Sequence, residues 1–179
     1  MLMTRCTVII LFLMAGCAKP QAETPLPASA IEIKELQAWV IPPENWRSDP
    51  IKRTSRHVHQ TWVSPTGDTA YGVIRFPLPL PVGEDLALWG FMREMKQTEG
   101  EAILLHKGKV PEKPGLRFEA EGGLYRIRGI IVTRGFGGWV AYAGTLRDHA
   151  IRLDELELAV QARENTAFGS GHRTQVDDP

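Results

Sequence analysis

The middle of the chain alternates between short segments rich in β-branched and aromatic residues and two segments with helical periodicity. Apolar residues that alternate with polar ones indicate strands, and apolar residues spaced three and four apart indicate helices. The predicted strands are 37–42, 56–64, 69–76, 102–109, 116–120, 124–133 and 139–145, and the predicted helices are 84–98 and 153–166. The first helix is expected to bury Leu88, Met92 and Met95 with Trp89 beside them, and the second Leu153, Leu156, Ala159 and Val160.

The connections between these segments limit how the strands can pair. Pro65-Thr-Gly-Asp68 has turn composition and joins two strands into a hairpin. Residues 77–83 contain three prolines and cannot form a central strand. The last three strands follow one another through turns too short for a parallel crossover, so they are expected to form an antiparallel meander. The pattern predicts an α+β domain with a single antiparallel sheet of about six strands flanked by two helices.

The amino terminus has the pattern of a secretory signal. Arg5 is the only charged residue before Lys19, and residues 8–15 are uninterrupted apolar chain, too short to span a bilayer. Leu13-Met-Ala-Gly-Cys17 resembles a bacterial lipobox, although Met14 stands where leucine is usual. The resemblance implies that a signal peptide, 1–16, is removed and that Cys17 carries a diacylglycerol. The alternative is a short buried helix in which Cys17 is a core thiol.

A lipidated Cys17 would fix the location of the protein. Cys6 would leave with the signal peptide, and the mature chain would keep no thiol for catalysis. We expect anchoring in the bacterial cell envelope, with Ala18 after the cysteine favouring the outer membrane, facing the periplasm. Residues 17–30, rich in proline, are predicted to be a tether, 31–168 the folded domain and 169–179 a flexible tail.

Composition excludes several other classes of protein. The 179 residues suit one domain, and two cysteines cannot build a disulfide scaffold. Lys and Arg together number 21, as do Asp and Glu, so the formal net charge is zero. A general nucleic-acid binder needs a surplus of positive charge, so we expect no nucleic-acid partner.

The order of elements and one short motif resemble the PsbP-like fold. Trp39-Val-Ile-Pro-Pro-Glu-Asn-Trp46 is similar to the first strand and the Pro-x-x-Trp corner of that fold. The resemblance covers residues 39–168. It implies a mostly non-catalytic domain that docks on other proteins or at membranes. The family has no common catalytic motif, so no functional residue is carried over.

Two histidines on one strand are the best candidate for a metal site. His57 and His59 are two residues apart and therefore share a strand face. Two imidazoles can begin a zinc or copper site, and a third ligand would have to come from His106 or His149. The alternative is a polar strand that faces solvent, and we predict no metal and no cofactor.

Two sets of basic residues are candidates for anion contacts. Lys52, Arg53 and Arg56 can form a small basic patch for a headgroup or a phosphate, or can belong to a solvated loop. Arg126 and Arg128 share a strand face, an alternation expected of a sheet with one solvated face, and are interpreted as structural.

Other segments invite functional interpretation but favour structural roles. Residues 64–68 lack the Gly-x-Ser-x-Gly pattern of a nucleophile elbow, and the glycines of 135–138 do not open a helix. Trp46 is either an exposed aromatic in a groove or, more simply, part of a packed corner. The proline-rich segment 77–81 is either a polyproline ligand or a stiff crossover.

The sequence therefore predicts a non-catalytic, lipid-anchored domain that binds an unidentified protein and contacts the membrane through Cys17. Two alternatives stay open. The first is a module that binds a small apolar or lipid-like ligand near Trp89–Met95. The second is a metal-dependent hydrolase that uses His57 and His59.

Overall fold

A computed structural model describes residues 27–147 and 151–169 of the chain. Within these residues the chain forms eleven strands and two helices. The strands are β1 (Ile31–Ile33), β2 (Ala38–Val40), β3 (Arg47–Ser48), β4 (Lys52–Arg53), β5 (Val58–Val63), β6 (Thr69–Pro77), β7 (Ile103–Lys109), β8 (Leu116–Gly122), β9 (Tyr125–Arg134), β10 (Gly137–Leu146) and β11 (Ala167–Phe168), and the helices are α1 (Glu84–Glu99) and α2 (Leu153–Glu164).

The strands form two antiparallel sheets. The larger has eight strands in the order β3-β5-β6-β10-β9-β8-β7, with β4 also paired with β5. The smaller has three, in the order β1-β2-β11. The prediction of a single sheet of about six strands is therefore wrong, although the α+β class and the meander β8-β9-β10 are confirmed. The strands that the sequence did not indicate have only two or three residues, too few to show an alternating pattern.

Helix α1 covers one face of the larger sheet, and α2 covers the other together with the smaller sheet. Alternate residues of β10 show this division, because Trp139 and Ala141 lie in the core under α2, whereas Val140 and Tyr142 lie in the core under α1. The sheet centre is thus buried on both sides, so a sheet with one solvated face was a wrong expectation. The nearly continuous burial along β10 is typical of a strand in the middle of three layers.

The face under α1 is built from aromatic rings that lie over glycines on neighbouring strands. These cross-strand pairs are Phe118 with Gly129, Tyr142 with Gly72, and Phe76 with Gly138. A Cβ atom built at Gly129 would lie 2.3 Å from the ring of Phe118, so the glycine makes room for the ring. Such pairs fill the sheet surface that glycine leaves empty.

The face under α2 combines large aromatic residues with small ones. Trp62 stacks on Tyr71 with a centroid distance of 5.1 Å, and the indole N–H of Trp139 donates to the carbonyl of Leu36 at 2.7 Å. Burial raises the pKa of Tyr71, whose hydroxyl lies 2.7 Å from that of Thr166. The fully or nearly buried alanines that let α2 approach the sheet are Ala141, Ala143, Ala159 and Ala162.

The two helices end at different kinds of residue, a glycine after α1 and an asparagine after α2. Helix α1 stops at Gly100, whose φ of 80° places it in the left-handed region that suits glycine. Helix α2 ends two residues earlier than predicted, because the chain turns at Asn165 towards β11. Within the described residues, 27–147 and 151–169, neither helix is long and apolar enough to cross a bilayer.

Candidate interaction surface

The proposed lipidation site and most of the predicted tether lie in the part of the chain that the structure does not describe. Cys17 and residues 18–26 lie outside the described residues, as does the tail from residue 170 onwards. The described chain begins at Pro27 and leads into β1, which pairs with β2. Since Ala38 and Val40 of β2 belong to the core under α2, the chain enters the domain on the α2 side.

The outer surface of α1 carries large apolar residues in solvent. Leu86 is 56% exposed and Trp89 is 59% exposed. The prediction that Trp89 lies beside Leu88 in the core is wrong, because successive helical residues are about 100° apart and Trp89 points away from the sheet. Leu88, Met92 and Met95 do face the core. We call the exposed residues Leu86, Trp89, Gly90, Arg93 and Lys96 the α1 stripe.

The α1 stripe carries two positive charges, on Arg93 and Lys96. The guanidinium of Arg93 lies over the ring of Trp89, 5.6 Å from its centroid. Three acidic residues of α1 are already paired with cations from elsewhere in the fold: Glu84 with Lys109, Asp85 with Lys107, and Glu94 with Arg56. Within the described residues, neither Arg93 nor Lys96 is within ion-pair distance of a carboxylate.

A glycine in the middle of α1 opens a groove in this surface. Arg56 and Gln97 help to line a solvent-open groove of about 360 Å³ above Gly90. A Cβ atom at Gly90 would meet no other atom within 4 Å, so nothing in the described domain requires glycine there. Glycine inside a helix is nevertheless unfavourable by about 1 kcal/mol relative to alanine. The groove gives an external group close access to the helix backbone.

The outer surface of α2 exposes leucines and carboxylates, whereas that of α1 exposes cations. Leu153 is 74% exposed and Leu158 is 45% exposed. Asp154 pairs with Arg152 at 3.4 Å, which lowers the pKa of Asp154, whereas Glu157 has no ion-pair partner among the described residues. We call Leu153, Asp154, Glu157, Leu158 and Gln161, which share one side of the helix, the α2 stripe. The sequence placed Leu153 on the buried apolar face of this helix. That prediction is wrong, because Leu153 points to solvent.

The two histidines lie side by side, but the described residues supply no third ligand. The ring centroids of His57 and His59 are 5.2 Å apart. Burial, the nearby His57 and Lys52 lower the pKa of His59. Its Nδ1 is buried and has no hydrogen-bond partner among the described residues.

The third ligands considered for this pair are not brought to it. His106 lies on β7, at the opposite edge of the larger sheet from the histidine pair. Five strand spacings separate β5 from β7, or about 24 Å, so His106 does not complete the site. His149 lies outside the described residues. No group of three or more potential metal ligands occurs in the described part of the chain.

The predicted basic patch is divided between the two faces of the sheet. Lys52 pairs across the strands with His59, and Arg53 pairs with Val58, so their side chains point in opposite directions. Arg53 forms an ion pair with Glu35 at 3.3 Å, and Arg56 forms one with Glu94 at 2.8 Å. Of the three cations, Arg56 contributes to the groove of the α1 stripe.

Arg126 and Arg128 take part in ion pairs on the α2 side of the sheet. Arg128 lies 2.7 Å from Glu119, and Arg126 lies 3.5 Å from Glu121. A cavity of about 30 Å³ between these arginines and α2 has room for about one water molecule. This arrangement agrees with their structural interpretation and provides no space for an apolar ligand there.

The other segments considered in the sequence are turns, connections or parts of the core. Residues 64–68 form the turn between β5 and β6, where the Thr66 hydroxyl donates to Glu155 of α2 at 2.7 Å. Residues 135–136 form the turn between β9 and β10, and no helix follows it directly. Trp46 is 9% exposed and lies in the core, so the packed corner is confirmed. Residues 78–83 connect β6 to α1.

Comparison with known proteins identifies the fold alone. No protein-family model matches the chain, and no curated protein matches it. The solution structure of cyanobacterial PsbP (CyanoP) from Synechocystis sp. PCC 6803 is similar, with 13% sequence identity and a TM-score of 0.58. The match covers 78% of this chain and 91% of the cyanobacterial one. A Bacteroides thetaiotaomicron structure is 12% identical, and the match covers 81% of this chain and 50% of that one. Its TM-score of 0.39 is too low to indicate a shared fold.

The chain therefore has a PsbP-like fold, as the order of its elements predicted. The sequence interpretation missed the α1 stripe, because it placed Trp89 beside the residues that face the core and gave no role to Leu86 or Arg93. Two signals were available: apolar residues on opposite sides of the helix, and Gly90 in its middle.

Proposed function

We propose that this protein is a lipid-anchored, non-catalytic interaction domain of the bacterial cell envelope, and that it binds another protein through the α1 stripe. The observation that carries the proposal is the exposed pair of Trp89 and Arg93 on the outer surface of α1. Tryptophan and arginine are, with tyrosine, the residues enriched among those that dominate protein–protein binding energy.

The surroundings of this pair suit a protein partner. Leu86 extends the apolar surface by one helical turn, and Gly90 lets a partner approach the helix closely.

The anchor is supported by the sequence at the amino terminus. A single positive charge, a short apolar segment, small residues before Cys17 and a proline-rich continuation occur in the order of a lipoprotein signal. A diacylated cysteine holds a domain at a membrane without a spanning helix, since two acyl chains make dissociation rare. We place the domain at the outer membrane, on the periplasmic side.

Site-specific photo-crosslinking in living cells tests the docking surface. A photoreactive amino acid replaces Gln97, an exposed residue at the groove beside the α1 stripe, in one variant, and Glu44, an exposed residue in the segment between β2 and β3, in the control. We expect a protein adduct from position 97 and little or none from position 44. Equal adducts from both positions, or none from position 97, would contradict the proposed surface.

Radiolabelled palmitate tests the anchor separately. The wild-type chain should incorporate label and fractionate with membranes, whereas Cys17→Ser should lose both properties. The Cys6→Ser control should retain the label, because that residue lies in the segment to be removed. A wild-type protein that is unlabelled and freely soluble would refute lipid anchoring, whatever the crosslinks show.

A further inference from the structure

We propose that the partner of the α1 stripe is the α2 stripe of a second copy of this chain. The inference rests on the docking role proposed for the α1 stripe and names its partner. The two stripes lie on opposite faces of the larger sheet and have complementary chemistry. One copy therefore presents both halves of the contact, pointing in opposite directions.

The charges of the two stripes are complementary. The α1 stripe contains Arg93 and Lys96, which have no carboxylate partner among the described residues. The α2 stripe contains Glu157, likewise without a partner in the described chain, while Asp154 already pairs with Arg152. Docking places a free carboxylate against free cations, so each stripe supplies what the other lacks.

The apolar residues are also matched between the stripes. Leu86 and Trp89 are exposed on α1, and Leu153 and Leu158 are exposed on α2. None of them is needed in the described core of its own domain. Gly90 gives a leucine of the facing helix access to the groove in α1, where a Cβ atom would otherwise project into the contact.

The geometry specifies an open assembly. A contact between two different surfaces of identical copies is heterologous, and it leaves one α1 stripe and one α2 stripe free at the ends. Repetition of the contact adds copies to a row. Two helix surfaces of 16 and 12 residues make a small contact. Tethering to one bilayer raises the local concentration of the copies, which favours weak contacts of this kind.

Crosslinking followed by peptide mapping is the first half of the test. Cells express the full-length chain with the photoreactive residue at position 97, together with a wild-type copy that carries a different tag. The proposal predicts an adduct between the two tags, with the crosslink in residues 153–161 of the second copy. An adduct to a different protein alone would overturn self-association but leave the docking function intact, and no adduct would overturn both.

Two complementary variants are the second half of the test. The α1 variant carries Trp89→Ser and Arg93→Glu, and the α2 variant carries Glu157→Lys and Leu158→Lys. All four positions are exposed, so circular dichroism should show wild-type unfolding temperatures for both. Sedimentation of the full-length protein in detergent should show concentration-dependent association of the wild type, weakened about tenfold or more in each variant alone.

Mixing the variants distinguishes this contact from a symmetric one. The α1 variant keeps an intact α2 stripe, and the α2 variant keeps an intact α1 stripe. An equimolar mixture should therefore form dimers that do not grow further. A wild type that stays a single copy at every concentration would overturn the proposal, as would variants that associate like the wild type or a mixture that does not associate.

Discussion

The two faces of the larger sheet are covered in different ways. Under α1, aromatic rings lie over glycines of neighbouring strands, and the helix contributes long side chains such as Met92 and Met95. Under α2, Tyr71 and Trp139 fill the core, and the buried alanines of the helix permit close approach. The outer surfaces differ as well, because α1 exposes tryptophan and cations, whereas α2 exposes leucine and carboxylates.

This difference separates residues that hold the domain together from residues available for binding. Each helix has an inner side whose composition is set by the sheet beneath it. Each also has an outer side whose apolar residues make no contribution to the described core, including Trp89 and Leu153. Substitutions on the inner sides should therefore change stability, and those on the outer sides should change association.

The largest expected effect is on the inner side of α1. Leu88 is 2% exposed, so Leu88→Ala removes buried methyl groups and leaves a cavity. We expect the free energy of unfolding to fall by about 2–5 kcal/mol, measured by denaturant titration. The matched variant Leu86→Ala, half a turn away and 56% exposed, should change it by less than about 0.5 kcal/mol. Similar losses in both variants would contradict the assignment of inner and outer sides.

The next effect is on the inner side of α2. Ala159 is fully buried between the helix and the sheet, so Ala159→Leu forces extra volume into a close contact. Unfolding free energy should fall by about 1–3 kcal/mol. Gln161→Leu, on the exposed side of the same helix, is the control and should leave stability nearly unchanged. A tolerated leucine at 159 would show that α2 does not approach the sheet closely.

Gly90→Ala should act on stability and association in opposite directions. An alanine at this position meets no atom within 4 Å and has the better helix propensity. We expect a gain of about 0.5–1 kcal/mol in unfolding free energy. The same methyl group enters the groove, so crosslinking from position 97 should weaken. A variant that loses stability would show that Gly90 has a role inside the domain.

The smallest expected effect is the pH dependence due to His59. Burial lowers its pKa below the usual 6.5, so the folded state favours the neutral ring. The folded state then binds fewer protons than the unfolded one, and this contribution to stability is complete above 6.5 and lost as pH falls through the folded pKa. His59→Gln should reduce the drop in melting temperature between about pH 7 and about pH 5. An equal drop in the wild type and in His59→Gln would contradict the burial of the His59 ring.

The long elements of the fold were predictable from the sequence, and the short ones were not. Residues 124–133 and 139–145 show sustained apolar patterns; the first strand is found shifted by one residue, as Tyr125–Arg134, and the second is longer, as Gly137–Leu146. Strands of two residues, such as β3 and β4, have no period to detect and exist because β5 offers them an edge. Two sheets could not be foreseen from pattern alone, since β11 joins β2 across most of the chain.

The candidate surface was harder to predict for a different reason. A hydrophobic pattern shows that a residue is apolar, but tertiary contacts decide which side of a helix meets the sheet. Trp89 and Leu88 are adjacent in sequence, but Trp89 is exposed to solvent and Leu88 is buried. Similarly, His57 and His59 are neighbours by strand spacing, but the position of His106 depends on a strand order that only the structure gives.

The central claim is that the α1 stripe is covered by another protein in the envelope. Hydroxyl-radical footprinting of the wild-type protein in intact membranes measures this directly. Trp89 should be oxidised several times more slowly there than in the dispersed Arg93→Glu variant, while Phe136, 67% exposed at the tip of a hairpin, reacts equally in both. Equal oxidation of Trp89 in the two preparations would contradict the claim.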